Sequence, residues 1–296
     1  MKTLLPAALC CAVALIATAQ GPVDGYLKGE SELDLALGFS ATGADVFHGG
    51  GGEEFRGFPF RGQLLSAFLA YGVTDGLDLV ASVPYVITDA SSGLQDGAFF
   101  VKGRLLRVPV GERRDGGALE QNVDILGALG ASVPLSDYEV VAAGAIGQRA
   151  RVVQPRLVAQ YNRPGFFAST VLGYNYRFDE LDAGRLAEIQ RTRPAYLPAQ
   201  PKDYLTALLR AGVPTSRLYV DGWVEFQQTL GGADFVPDVE ELVQPYDVDY
   251  AQVGGTVYYS EGPRLGVAAS GATFLYARNA SRLWRASLTL VIKVRP

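Results

Sequence analysis

The sequence has few of the side chains that carry nucleophilic or metal chemistry. Its 296 residues include two cysteines and one histidine. Both cysteines, Cys10 and Cys11, fall within the first 19 residues, so the rest of the chain offers no disulfide framework and no thiolate metal site. We therefore expect no metal and no cofactor. The single histidine, His48, lies near Asp45 but has no recognisable nucleophile context, so a hydrolase that uses His48 is the least favoured function.

Two further absences narrow the class of protein. The net charge is −5, or −6 without Lys2, so there is no basic footprint for nucleic acid. Hydrophobic residues make up 48% of the chain, yet the mean hydropathy is only +0.12. After the first 19 residues no apolar run approaches the ~20 residues of a membrane-spanning helix. The apolar residues are instead dispersed, as in a β-sandwich or a β-barrel.

The first 19 residues have the three parts of a secretory signal peptide. Lys2 supplies a positive start, residues 4–17 an apolar core, and Ala17-Thr18-Ala19 a small-residue cleavage site. The sequence predicts export with cleavage after Ala19, which leaves residues 20–296 as the mature domain.

Residues 62–86 contain the clearest structural pattern. They predict two strands of about ten residues joined by a tight turn at residues 74–76. In the second strand apolar residues alternate with mixed ones, and the apolar set is Leu77, Leu79, Ala81, Val83 and Tyr85. Because successive side chains of a strand point to opposite faces, one face is continuously apolar.

The same pattern recurs and predicts about twelve strands, an even number like those of bacterial outer-membrane barrels. Besides residues 62–86, the predicted strands cover residues 29–40, 98–107, 121–133, 151–161, 166–178, 204–213, 218–229, 249–260, 265–276 and 282–294. Tight turns alternate with longer loops, which predicts short periplasmic turns and longer extracellular loops. The long segment at 109–120 and the short one at 277–281 fit this rule least well, and residues 183–193 are expected to form a short loop helix.

The strands favour an all-β fold, a closed antiparallel up-and-down transmembrane β-barrel, over a sandwich. A sandwich tolerates strands of five or six residues, whereas these are longer. Aromatic residues collect near the strand ends, as in the girdles of membrane barrels. The expected lipid-facing girdle contains Tyr71, Tyr85, Tyr161, Tyr174, Tyr176 and Trp284.

Charged and amide residues occupy the opposite faces in mid-strand. In lipid the sheet must close, and these side chains must point into the lumen. The expected lumen-lining residues are Asp34, Asp78, Lys102, Arg104, Asp124, Arg156, Gln160, Asp221, Glu225 and Gln227. Two interpretations stay open: a polar passage with walls of both signs, or a plugged lumen whose charges pair with one another.

Three segments resemble one known family. Residues 71–79 with 82–86, residues 97–106 and residues 130–134 are similar to motifs of the phenol-degradation meta-pathway (MetA-pathway) outer-membrane proteins, described as transporters. The resemblance implies an exported barrel that passes small hydrophobic or aromatic compounds, and it supplies no catalytic residues. It also implies insertion by the outer-membrane assembly machinery, although the chain ends on Val294-Arg295-Pro296 where such barrels usually end on an aromatic residue.

The sequence thus predicts a porin-like channel of the bacterial outer membrane. Its expected partners are the lipid bilayer, small-molecule solutes and the assembly machinery, without nucleic acid. The alternative is a non-transporting barrel that acts as a surface scaffold or adhesin through the loops at residues 41–60, 179–202 and 231–248.

Overall fold

The computed structural model describes residues 23–295 except 90, 112–120, 139–145, 148, 179–201, 233 and 235–246. The predicted signal peptide and the predicted loop helix at 183–193 lie outside the described residues. Within the described part of the chain every regular element is a β-strand. None of the described residues forms a helix with the length and apolar character needed to cross a membrane.

Twelve long strands form the wall, and two short strands, β4 and β13, add to its rim. The strands are β1 (Leu33–His48), β2 (Glu54–Thr74), β3 (Leu77–Thr88), β4 (Ser92–Leu94), β5 (Asp96–Pro109), β6 (Asn122–Pro134), β7 (Val152–Arg163), β8 (Phe166–Arg177), β9 (Tyr204–Pro214), β10 (Leu218–Thr229), β11 (Asp249–Ser260), β12 (Leu265–Arg278), β13 (Ala280–Ser281) and β14 (Trp284–Val294). The boundaries predicted for β10 and β11 coincide with those observed, and most others agree to within two residues.

The sheet closes on itself through β1. This strand pairs with β2 on one side, where Leu33 is opposite Tyr71, and with β14 on the other, where Leu33 is opposite Val294. All pairings are antiparallel between neighbours, so the predicted closed 12-strand antiparallel β-barrel is confirmed. Closure leaves no unpaired sheet edge along the wall.

The connections at the two ends of the barrel differ in length. Strands β2–β3, β7–β8, β9–β10 and β11–β12 are joined by two to four residues at one end, which we call the short-turn end. Gly165 has φ 73° in the β7–β8 turn, a left-handed conformation that glycine adopts without steric cost. Among the described strands β5 and β6 are also joined at the short-turn end, by the longer connection at residues 110–121. The remaining connections lie at the opposite end, which we call the long-loop end.

The structure corrects the loop predicted at residues 41–60. Strand β1 continues to His48 and β2 begins at Glu54, so the connection is only residues 49–53. His48 is opposite Glu54, and β13 pairs with Phe47 and His48 from the other side. The four glycines at residues 49–52 favour a long loop in the sequence. In the structure β1 pairs with β2 on one side and β13 on the other, and this backbone pairing does not require side chains that alternate in polarity.

Apolar side chains cover the outer face of the wall. The exposed large hydrophobic residues include Leu37 and Phe39 on β1, Leu129 on β6, Leu172 on β8 and Leu288 on β14. A shallow outer groove of about 700 Å³ crosses strands β6 to β11, where several outward residues are only alanine or glycine. The inner face at this level carries larger side chains, among them Trp223, which is described below.

Candidate functional site

The ten residues predicted to line the lumen lie on the inner side of the wall. Seven are buried: Asp34, Asp78, Lys102, Asp124, Gln160, Asp221 and Gln227. Arg104, Arg156 and Glu225 are half-buried. Most of the set lies in the half of the barrel near the short-turn end, whereas Arg156, Glu225 and Gln227 lie nearer the long loops. Whether they bound a water-filled passage remains a prediction.

The six girdle residues lie near the strand ends. Tyr71 and Tyr161 are towards the short-turn end, and the other four, Tyr85, Tyr174, Tyr176 and Trp284, are towards the long-loop end. Tyr71, Tyr85, Tyr176 and Trp284 are exposed. Tyr161 and Tyr174 are half-buried and donate hydrogen bonds to Gln121 and Asp203. Their contact with lipid stays a prediction.

The lumen contains a part of the chain that the sequence pattern does not reveal. Residues 23–31, which we call the N-terminal segment, run inside the barrel from mid-lumen towards the short-turn end, where β1 begins. Val23 is only 2% exposed, and it packs among inward side chains of the wall. Ser31 donates a backbone hydrogen bond to the Gly72 carbonyl, which fastens the turn into β1 to the wall.

Charged groups attach this segment to the wall. The Lys102 ammonium lies 2.9 Å from Asp24 and 3.4 Å from Asp78, and it also donates to the backbone carbonyl of Tyr26. Lys28 donates its backbone N–H to Asp78 and places its ammonium 2.6 Å from Asp34. Three carboxylates and two ammonium groups therefore link β1, β3 and β5 to the segment.

These charges favour the ionised form of Asp24. Burial raises the pKa of the Asp24 carboxyl, but attraction to Lys102 and Lys28 outweighs burial and leaves the pKa below the ordinary value of an aspartate. The ionised carboxylate, which pairs with Lys102, is therefore the favoured form of Asp24.

Three aromatic side chains hold the segment on the side of the lumen opposite Lys102. The Tyr26 ring meets the Phe167 ring edge-on at 5.6 Å, and Phe167 stacks on Tyr219 at 5.4 Å. The Tyr219 hydroxyl donates to Asp221, whose carboxylate is 3.4 Å from Arg210. The segment thus contacts strands on both sides of the lumen.

Above the segment, apolar side chains meet across the barrel. This mid-lumen cluster joins inward residues of β2, β3 and β5 to β10 with Val23. Phe100 and Val158 have no exposed surface, and Trp223 is 3% exposed. The buried members are Val23, Ala70, Val80, Phe100, Leu126, Ala128, Val158, Val171, Leu208 and Trp223. The cluster and the N-terminal segment thus both lie in the middle of the lumen.

Polar side chains line the lumen on the long-loop side of the cluster. The Arg156 guanidinium donates to Gln154, Asn175 and Thr206 and lies 5.7 Å from the centre of the Phe100 ring. Across from it, Glu225 accepts hydrogen bonds from Gln252 and Tyr250. Arg285 of β14 also acts on Glu225, so the described inner wall carries charges of both signs on different strands at this level.

Alternation alone would place Arg107 on the outer face, because it is three residues from the inward Arg104. A β-bulge at Leu105 changes which residues face inward after it. Arg104 is opposite Leu126 and Leu106 is opposite the next residue of β6, Ile125, so Leu105 has no partner of its own. The extra residue turns Arg107 inward, where its guanidinium forms two hydrogen bonds with Asp124, at 2.6 and 2.9 Å. Bulges commonly re-aim a side chain in this way, and the sequence analysis missed this residue.

His48 lies at the end of β1 near the long-loop end and is half-buried. Its strand neighbours are Ala280 and Glu54. Neither neighbour is a serine or cysteine nucleophile, so the structure adds no support for a hydrolase. Within the described part of the chain, no three histidine, cysteine, aspartate or glutamate side chains have an arrangement that could hold a metal ion.

No family model matches the chain, and no curated protein matches it in sequence. Its fold is similar to that of the COG4313 outer membrane channel from Pseudomonas putida F1, with a TM-score of 0.65 and 12% identity over 92% of this chain and 99% of that one. It is also similar to the NanC porin, with a TM-score of 0.50 and 7% identity over 89% of this chain and all of that one. At such identities the likeness concerns the fold.

These features define a class of protein. The chain is a closed β-barrel with the fold of outer-membrane channels and porins, an apolar outer face and a charged inner face. Its lumen is occupied by its own N-terminal segment.

Proposed function

We propose that the protein is an outer-membrane channel for passive passage of small solutes, and that its N-terminal segment occludes the lumen in the conformation described. The observation that carries this proposal is the way the segment is held. Between residues 23 and 28 the segment is attached by ion pairs, by hydrogen bonds to wall side chains and by packing, rather than by the continuous backbone pairing of the wall. Such a segment can leave while the cylinder stays closed.

The resemblance of three segments to the phenol-degradation meta-pathway proteins supports a finer proposal about the solute. The resemblance favours small hydrophobic or aromatic compounds as the solutes. The proposed partners are the lipid bilayer, these solutes and the outer-membrane assembly machinery. The proposed location is the outer membrane after cleavage at Ala19.

Replacing residues 23–28 by a glycine-serine stretch of equal length should open the lumen. The replacement removes Asp24, Tyr26 and Lys28 from their contacts and keeps the turn that leads into β1. In planar bilayers we expect a low conductance from the natural sequence and a severalfold higher, ohmic conductance from the variant. When Arg104→Glu is added to the variant with replaced residues 23–28, the ion selectivity should shift towards cations, because the substitution reverses a charge on the inner wall.

A matched control exchanges residues 261–264, the β11–β12 turn, for glycine and serine, and should leave the conductance unchanged. Unaltered conductance and no liposome swelling after removal of the segment would contradict the channel proposal.

A second candidate function is favoured by one observation, the mid-lumen cluster. Its side chains are buried against one another as well as against Val23. If they close the lumen without the segment, the protein is a non-transporting barrel that acts as a scaffold or adhesin through its long loops. The conductance experiment separates the two functions.

The proposed membrane location makes Leu172 a sensitive position. This side chain projects outward at the middle of β8 and is 50% exposed. Leu172→Arg should lower the free energy of unfolding in lipid vesicles by about 2–4 kcal/mol, the range for arginine at the bilayer midplane. Urea unfolding in vesicles measures this.

The matched control is Leu218→Arg, at an outward position that begins β10 near the rim, where the expected cost is about 0–1 kcal/mol. Equal costs at both positions would argue against a lipid-covered wall.

A further inference from the structure

A small cavity lies between the N-terminal segment and the inner wall near the short-turn end. Its volume is about 280 Å³. Tyr26 and Leu27 form one side, and residues of β5, β6 and β7 form the other. The wall side is polar and contains Arg104, Arg107 and Asp124. The cavity is thus apolar towards the segment and Leu126, and charged towards the wall.

The charges in this cavity do not balance. Arg107 uses two guanidinium nitrogens on the two oxygens of Asp124, and Asn162 donates a third hydrogen bond to the same carboxylate. The shortest contacts of Asp124 are therefore those with Arg107. Arg104 approaches it only at 3.5 Å, and the buried Nε of Arg104 has no hydrogen-bond partner. The lining of the cavity therefore holds two guanidinium groups against one carboxylate, an excess of one positive charge.

The polar neighbours of Arg104 cannot neutralise it. Asn122, Gln160 and Asn162 are neutral and mainly bond one another: Gln160 donates to Asn162, and Asn162 to Asn122. The carboxylates of Asp24 and Asp78 are already paired with Lys102. A guanidinium whose Nε–H is buried and unpaired is poised for an anion, and its planar donors fit the two oxygens of a carboxylate.

We infer that this cavity is a binding site for a small organic carboxylate, whose anionic group pairs with Arg104 and whose compact apolar part lies against Leu126, Leu27 and Tyr26. A cavity of about 150 Å³ can hold benzene, so this cavity of about 280 Å³ admits a carboxylate together with an apolar part of about that size. The inference names a solute class for the proposed channel, but binding does not require that solutes cross the barrel.

Fluorine NMR of detergent-solubilised protein tests the site. The probe is trifluorobutanoate, and trifluorobutanol is its neutral counterpart, which reports partition into the micelle. We expect the acid, and not the alcohol, to show saturable line broadening. Arg104→Gln should weaken binding of the acid by about ten- to a hundredfold, the range for a hydrogen bond to a charged group. Arg104→Lys keeps the positive charge but lacks the planar pair of guanidinium donors, and should bind the acid with intermediate affinity.

The matched control is Arg163→Gln, because Arg163 is an exposed arginine at the same end of the barrel that lies over the Phe166 ring, outside the cavity. It should bind the acid as the natural protein does. Equal binding of the alcohol, undiminished binding by a folded Arg104→Gln variant, or displacement of the probe by equimolar inorganic phosphate would each overturn the assignment. Failure here leaves the conductance result untouched, so the two proposals fail separately.

Discussion

Lys102→Met should destabilise the barrel by about 3–5 kcal/mol, the cost of removing one partner from a buried ion pair. The Asp78 side chain has no exposed surface and that of Lys102 is 3% exposed, so water cannot replace the lost ammonium. The substitution also removes the contacts of Lys102 with Asp24 and with the Tyr26 carbonyl. Chemical unfolding followed by the fluorescence of Trp223 and Trp284 measures the loss.

Two comparisons isolate the buried charge as the cause. Asp78→Asn in the same chain removes the uncompensated carboxylate but keeps an oxygen that can accept the Lys28 N–H, so the double variant should recover most of the stability. Arg56→Met breaks a surface pair with Glu54 whose cation is 79% exposed, and should cost less than about 1 kcal/mol. If the double variant were as unstable as Lys102→Met alone, the buried-charge explanation would be wrong.

The wall of the barrel could be predicted from the sequence because its signal is local. Strands β10 and β11 alternate in polarity over their whole length and are bounded by turn residues, so both boundaries were found. The same alternation identified the inner positions of Asp78 and Lys102. It failed where the period changes: the bulge at Leu105 shifts the phase by one residue, and nothing in the local sequence marks it.

The N-terminal segment could not be predicted because its contacts are distant in sequence. Lys28 meets a carboxylate 50 positions away, and Lys102 reaches back 78 positions to Asp24. Residues 23–28 have neither strand periodicity nor a turn signature, and residues 29–31 were predicted to belong to the first strand, which in the structure begins only at Leu33. The position of the segment therefore depends on contacts that form only in the assembled barrel. The open choice between a polar passage and a plugged lumen had the same origin, because the pairing of inner charges depends on which strands face each other across the barrel.

The sharpest test of the occluded lumen is the reactivity of a cysteine placed at Val80. This inward side chain of β3 is 1% exposed and belongs to the same mid-lumen cluster as Val23. In protein that begins at residue 20 the introduced thiol is unique, because Cys10 and Cys11 are absent. With the natural segment a charged thiol reagent should not reach Val80→Cys. Replacing residues 23–28 should accelerate labelling by more than about tenfold, as the barrier to local opening falls.

Two positions calibrate this measurement. Val83→Cys lies outward on the same strand, where proposed lipid contact should keep a charged reagent away in both backgrounds. Ser216→Cys lies exposed in the β9–β10 turn and should react quickly in both.

Slow labelling of Val80→Cys after the segment is replaced would mean that wall residues such as Phe100 and Trp223 close the lumen by themselves. Fast labelling with the natural segment present would mean that it does not occlude the lumen at all. Only a change of rate that depends on the segment supports a channel closed by its own N-terminus.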